Sequence, residues 1–499
     1  LGRIEVLIQM GCNCVKKSCE IRDIDKMPWK LGEECGVFGI YVAEGDDLHP
    51  AFETYSALYA LQHRGQESCG IATNKGGVIS LHTEMGLVRD AFNPEILEKL
   101  DGNMAIGHCR YATTGTATRS NAQPIVMSHI KGNLALAHNG NLVNAQALRR
   151  EIELNGGIFR MSNDSEVISY VIVRERLKTG SIEQAVKNAM NHLIGAYSLV
   201  IMSPRKLMAV RDPYGFRPLC IGKIENSYVF ASETCALDTI GATFVRDVEP
   251  GEIVIVEDGE MRSIFCDKKE RSATCIFEYI YFARPDSVID GASVERARQE
   301  AGKHLAIEHP VEADIVIGVP DSGLSAAIGY SKESHIPYGV GLIKNRYVDR
   351  TFIQPGQSRR ENAVRMKLNA LAEVIRGKRV IMVDDSIVRG TTCARIVSIL
   401  RDAGAKEVHM RVSSPPFLHP CFFGTDIPDR ELLIAPGRTV EEIRRIIGVD
   451  SLGFLSIEAT QKIAVGAHCG FCDACFTGNY PVAVPDKVEK NIFERRIGE

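Results

Sequence analysis

Val380-Ile381-Met382-Val383 is an unbroken apolar run that stops at Asp384-Asp385 and passes through a small turn, residues 386–392, into a helical pattern. A strand with no polar alternation is one whose two faces are both covered, which is the condition of a parallel sheet flanked by helices. Residues 314–319 repeat the pattern and lead into Gly318-Val319-Pro320-Asp321-Ser322-Gly323. The second half of the chain is therefore expected to be a doubly wound parallel α/β unit. Its ligand would lie at the carboxyl ends of the strands, where the two acids stand.

The first half reads differently. From residue 35 to about 265 short strands (35–41, 134–138, 198–202, 228–231 and 252–256) alternate with helical patterns at 51–62, 165–175 and 182–190, punctuated by Gly and Asn. A chain of 499 residues exceeds one core. We expect units at 35–265 and 266–499, preceded by a leader, 1–34, that has no fold-forming pattern. A net charge of -4 supplies no basic field for nucleic acid. No apolar run reaches membrane-spanning length, and Arg3 and Glu5 interrupt the mildly apolar start, so neither signal peptide nor anchor is expected. Met10 is an alternative start to Leu1. The expected location is cytoplasmic.

Fifteen cysteines in such a chain call for metal binding or catalysis rather than disulfides. Cys12, Cys14 and Cys19 fall in the leader; Cys69, Cys109, Cys220, Cys235, Cys266 and Cys393 stand singly in apolar or mixed segments and read as core. Cys35, which opens Cys-Gly-Val-Phe-Gly-Ile, is different because everything before it reads as removable. Once it is the first residue, its own α-amino group, with a pKa of about 7.7–8.0, can serve as base for its thiol. Four blocks follow: Gln62-His63-Arg64-Gly65-Gln66-Glu67-Ser68, His108-Cys109-Arg110-Tyr111-Ala112-Thr113-Thr114-Gly115, His138-Asn139-Gly140-Asn141-Leu142 and Asn163-Asp164-Ser165. Arg110 suits bidentate capture of an α-carboxylate and Asp164 can receive an α-ammonium. The Asn139 amide and the Gly140 N–H form a candidate oxyanion hole. Taken singly, Asn-Gly is usually a turn and Asp-Ser before an apolar helix is usually an N-cap.

Together and in this order these blocks resemble the glutaminase domain of the class II glutamine amidotransferases. The resemblance implies an N-terminal nucleophile αββα sandwich in which the leading cysteine attacks the glutamine side-chain amide, a γ-glutamyl thioester forms, and water resolves it to glutamate. Cys69 and Cys109 stand where that family more often has Ala and Val.

The block 380–392 resembles the phosphoribosyl pyrophosphate signature of the type I phosphoribosyltransferases. The backbone N–H groups of Arg389, Gly390, Thr391 and Thr392, with the threonine hydroxyls and the helix N-terminus, make a cradle for a 5′-phosphate. Asp384 and Asp385 can bind ribose hydroxyls directly or through Mg²⁺, expected at one per subunit. The turn with Asp321 and Ser322 would hold pyrophosphate and metal, and Ser322 matches a residue of the family's Mg²⁺ and substrate assembly. The basic stretch 344–367, starting at Lys344, resembles the family's flexible loop, with Asp349 where Gly is common.

Cys472-Asp473-Ala474-Cys475 supplies a thiolate pair that needs partners from elsewhere, and spacing alone leaves zinc and iron–sulfur both open. Cys275 and Cys421 match ligand positions of the cluster-containing amidotransferases, which implies one [4Fe–4S] cluster per subunit on Cys275, Cys421, Cys472 and Cys475, with Cys469 as the rival ligand. The two signatures in this order are similar to enzymes that join a glutaminase to a phosphoribosyltransferase. That likeness implies conversion of phosphoribosyl pyrophosphate, glutamine and water into 5-phosphoribosylamine, pyrophosphate and glutamate, a homotetramer, and feedback by purine nucleotides. A sugar-isomerising or asparagine-forming amidotransferase would share the first constellation without Asp384-Asp385. A regulator built on a phosphoribosyltransferase fold would have no use for Cys35.

Overall fold

The computed structural model describes residues 34–111, 117–266, 271–345, 368–425, 427 and 430–485. The leader cysteines, residues 112–116 and most of the basic stretch including Asp349 lie outside them.

The first half is built from two antiparallel sheets laid face to face. Strand Gly36–Tyr41 is central in a seven-stranded sheet, between Met104–Arg110 and Ser227–Ala231. The second sheet has six strands, with Gly132–Leu142 and Gly195–Met202 adjacent. Side chains alternate along Gly36–Tyr41 as the pleat requires. Val37 joins Ile106, Ala135, Val200 and Val254 in the core between the sheets. Phe38 and Ile40 point the other way, onto Ala57 and Leu58 of helix Pro50–Ala60. On the far side of the six-stranded sheet, Leu136 and Leu199 pack on Val167, Val171 and Val186 of helices Asp164–Lys178 and Ile182–Met190. The layers are thus helix, sheet, sheet, helix, the expected αββα arrangement.

The second half holds a four-stranded parallel sheet in the order Ile315–Gly318, Arg379–Asp384, Glu407–Val412, Ser451–Phe454. Its central strand is buried on both faces, which is why its sequence lacks alternation. Ile381 and Val383 pack with Ala297, Ala301, Ala326 and Tyr330 of helices Val294–Glu308 and Leu324–Ser334. Val380 and Met382 face Ile396, Leu400 and Ile443 from helices Thr391–Asp402 and Val440–Ile447. Among the described residues no helix is long and apolar enough to cross a membrane.

Two common local readings of these dipeptides do not hold here. Asn139-Gly140 is not a turn: strand Gly132–Leu142 runs straight through it, paired Asn139 to Ser198 and Gly140 to Tyr197. The N-cap of helix Asp164–Lys178 is Asn163, whose side chain accepts from the Glu166 N–H at 3.1 Å, so Asp164 is released from capping. The six singly spaced cysteines are all buried, as core residues should be.

Candidate active sites

Cys35 heads strand Gly36–Tyr41, buried, with its thiol donating to the Tyr111 carbonyl at 3.4 Å. Burial pushes the thiol up to about 12, against the opposing pull of that hydrogen bond and of Arg110. Arg110 and Asp164 both act electrostatically on the thiol, so the two groups read as gripping an amino-acid head are brought to the nucleophile. Asp164 accepts from the Leu142 N–H at 2.9 Å, which ties it to the end of the strand carrying Asn139 and Gly140.

Asn139 is wholly buried, and neither its amide nitrogen nor its amide oxygen finds a partner among the described residues. An amide left without a partner in a folded interior normally costs about 1–3 kcal/mol. Gly140 has φ +144, and a Cβ there would stand 2.1 Å from the Ala196 carbonyl oxygen, so only glycine fits. Behind this strand His138 Nδ1 lies 3.0 Å from Ser165 Oγ, and Gln123 donates to the same hydroxyl at 3.0 Å while accepting from the His138 N–H. This closed network fixes the backbone at Asn139, and its members were not assigned a role from sequence.

The largest group missed in the sequence is ionic. Arg64, fully buried, donates from Nε to the Cys35 carbonyl at 2.9 Å, from Nη1 to Glu233 at 2.6 Å and to Glu278 at 3.0 Å, and from Nη2 to Glu278 at 2.8 Å. Arg217 reaches Glu278 at 3.2 Å and the Phe423 carbonyl at 2.8 Å. Glu278 and Phe423 come from the second half, so the nucleophile's backbone is held by a network that spans both. Arg64 stands inside a block recognised by its sequence; its partners, up to 214 residues away, gave no signal.

In the parallel sheet, Asp384 ends the central strand and Asp385 follows, both buried. Ser322 donates to Asp385 Oδ1, and Ser386 to Asp385 Oδ2 at 2.6 Å, so the two turns meet as expected. These are hard oxygen donors of the kind Mg²⁺ accepts. Gly390, at φ +79, precedes helix Thr391–Asp402, whose first turn receives no side-chain cap. Lys344 donates to Asp321 at 2.6 Å, which brings the start of the basic stretch to the pyrophosphate turn. No side-chain contact of Arg389 joins it to these groups.

Four thiols also converge. Cys275 and Cys472 are register partners in a short parallel pair. The Cys475 carbonyl accepts from Leu418 and His419, and Tyr480 donates to the Pro420 carbonyl at 2.7 Å, which draws in the segment carrying Cys421. After burial itself, Cys421, Cys275 and Cys472 all push the Cys475 thiol further above its usual range. Cys469 lies apart, against Asp290 and Thr274. Among the described residues no group of three or more His, Cys, Asp and Glu side chains is arranged to hold a metal ion. One zinc would need thiolates about 2.3 Å from a shared centre. Four soft thiols are a donor set that zinc and iron–sulfur groups both accept.

Known proteins bear on both constellations. The glutamine amidotransferase domain model matches residues 108–239 and the phosphoribosyl transferase domain model residues 294–414. Amidophosphoribosyltransferases of Archaeoglobus fulgidus and Methanocaldococcus jannaschii are 53% and 52% identical, each over 90% of this chain and 98% of their own. The solved structure of the Bacillus subtilis glutamine phosphoribosylpyrophosphate amidotransferase, complexed with ADP and GMP, superposes with a TM-score of 0.85 at 50% identity, covering 92% of this chain and all of that one. With both domain models in the order the two sites require, and half the residues shared over nine-tenths of its length, the chain belongs to the amidophosphoribosyltransferase family, the enzymes of the first step of purine biosynthesis.

Proposed function

We propose that the chain, freed of residues 1–34, runs two coupled reactions: residues 35–265 release ammonia from glutamine, and residues 266–499 use it to displace pyrophosphate from phosphoribosyl pyrophosphate. The observation that carries this reading is the meeting of Cys35, Arg110 and Asp164 beside a strand that offers a buried Asn139 amide with no partner among the described residues. Arg110 takes the α-carboxylate of glutamine and Asp164 its α-ammonium, which aims the side-chain amide at the thiol. The freed α-amino group removes the thiol proton, and sulfur attacks the amide carbon. Asn139 and the Gly140 N–H receive the oxyanion, ammonia leaves, and water cleaves the thioester to glutamate.

In the second site the N–H groups of 389–392 hold the 5′-phosphate, Asp384 and Asp385 the ribose hydroxyls, and Asp321 and Lys344 the pyrophosphate end. Mg²⁺ held by Ser322, Asp384 and Asp385 would offset charge on the departing pyrophosphate. Ammonia forms the new bond to ribose C1 as pyrophosphate departs, giving 5-phosphoribosylamine. A [4Fe–4S] cluster on Cys275, Cys421, Cys472 and Cys475 would tie the C-terminal segment to the start of the second half. The ADP and GMP bound to the Bacillus subtilis structure support feedback by purine nucleotides here; the homotetramer and the cytoplasmic location are what the resemblance implies.

The test pairs intact mass with two assays. Active enzyme should begin at Cys35, and Cys35→Ala should lose glutamine-dependent synthesis while keeping the ammonia-dependent rate. Fully active protein that retains Glu34, or loss of both activities in folded Cys35→Ala, would defeat the reading.

A further inference from the structure

The residue just before the nucleophile is not exposed chain. Glu34 is 1% exposed. Its Oε1 accepts from Arg217 Nη2 at 2.8 Å and from Thr425 Oγ1 at 3.1 Å. Arg217 is oriented by the Phe423 carbonyl and by Glu278, and the intervening Gly424 brings this segment against both Glu34 and Gly140. Asn141 donates to the Phe422 carbonyl at 2.9 Å, so 422–425 is fastened to the oxyanion strand as well. On the other side of the Glu34–Cys35 bond, Arg64 holds the Cys35 carbonyl. The bond is therefore gripped on both sides by groups drawn from both halves of the chain.

We propose that Arg217 and Thr425 form a recognition pocket for the leader's last side chain, and that because the pocket exists only when 422–425 has docked, leader removal is conditional on the two halves being assembled. The proposal rests on the reading that mature enzyme starts at Cys35. The step is hydrolysis: water's hydroxyl joins the Glu34 carbonyl carbon, its proton goes to the Cys35 nitrogen, and a free α-amino group appears beside the thiol.

Charge explains why the pocket lets its occupant go. Glu34, Glu233 and Glu278 stand against the guanidinium groups of Arg64 and Arg217 and against His63, 2.7 Å from Glu233, and the three carboxyls and two guanidinium groups are all buried. Burial pushes the Glu34 carboxyl up to about 7, with Arg217 pulling against it. While the peptide bond is intact, the chain itself holds Glu34 in place. After cleavage that tether is gone, and a carboxyl whose charged form burial disfavours gains by leaving for water.

The experiment expresses the full chain with its leader and follows the cleaved fraction by intact mass. The variants are Glu34→Ala, Glu34→Gln and Thr425→Val, alongside a chain that starts Met-Cys35, from which the host removes Met. Glu34→Ala and Thr425→Val should slow leader removal at least tenfold. Glu34→Gln, which keeps an acceptor oxygen, should fall between. Cleaved molecules from either Glu34 variant are identical to the wild type and should match its glutamine-dependent rate per molecule. Thermal unfolding of the Met-Cys35 chain carrying Thr425→Val checks that this substitution leaves the fold intact. Cleavage of Glu34→Ala, or of folded Thr425→Val, at or above the wild-type rate overturns the pocket. If the Met-Cys35 chain is active in that case, the nucleophile reading survives; if wild-type protein is fully active with Glu34 attached, both fall.

Discussion

Asn139→Ala separates chemistry from stability more cleanly than any other single change. The Asn139 amide is buried and unpartnered among the described residues, so the folded state carries its desolvation cost, about 1–3 kcal/mol, with no bond in return. Alanine removes that cost and leaves a cavity a few atoms in size, worth about 1 kcal/mol in the opposite sense. Backbone pairing to Ser198 is untouched. The melting temperature should hold or rise slightly. Loss of one oxyanion donor should cut the glutamine-dependent kcat by ~10²–10³, or about 3–4 kcal/mol of transition-state stabilisation. Ammonia-dependent synthesis, which never forms the oxyanion, should stay within twofold. Both rates and the unfolding curve would be measured on one preparation. A glutamine-dependent loss below tenfold would mean that the amide does not meet the oxyanion, and a melting temperature lowered by more than about 5 °C would mean that it has a structural partner.

Replacing Asp384 and Asp385 together by Asn should abolish synthesis with either nitrogen donor yet leave basal glutaminase, read as glutamate release; parallel loss of glutaminase would contradict two separable sites. Anaerobically purified protein should contain about four irons per chain, and Cys472→Ser should lose them with activity while Cys469→Ser, at the residue packed on Asp290, stays near wild type. Stoichiometric zinc without iron would refute the cluster. Burial opposes ionisation of Glu233, but His63 and Arg64 outweigh it and hold its carboxyl far below the usual range. Its contribution is therefore present above the unfolded carboxyl pKa of about 4.3 and fades as pH falls toward the depressed folded value. Glu233→Gln should cost about 3–5 kcal/mol near neutrality, the penalty for stripping a buried partner from Arg64. In urea unfolding that gap should narrow below pH 4; a gap that widens on acidification would show that the carboxyl is not charged in the fold.

What the sequence made legible was whatever depends on near neighbours. The run 380–383 announced a doubly covered strand because burial on both faces removes alternation, and the helix at Ile182–Met190 fell where its periodicity placed it. Asn139-Gly140 was harder, since its turn propensity is real and is overridden only by pairing with Ser198 and Tyr197 across the sheet. Asp164 was ambiguous between cap and ligand until Asn163 proved to be the cap. Nothing local could reveal Glu278 or Phe423 as neighbours of the glutaminase site, because they stand 214 and 206 residues along the chain from Arg64 and Arg217, which they meet.

That docking surface sets an ionic network beside an apolar cluster in which Phe216 stacks on Phe423 at 4.3 Å. Every nitrogen of the Arg64 guanidinium is engaged, and those of Arg217 likewise, by carboxylates and carbonyls from both halves. A buried ion pair offsets its desolvation only when its geometry is complete, so these pairs contribute little net stability of their own but tolerate little slippage. An apolar seam could shift by an ångström at small cost; a bidentate guanidinium pair shifted that far leaves buried charge uncompensated. Cys35 hangs from Arg64 by its carbonyl, so the register of the two halves becomes the register of the nucleophile. A misdocked chain would then have no correctly held thiol, and ammonia would be released only where the second half is in position to receive it.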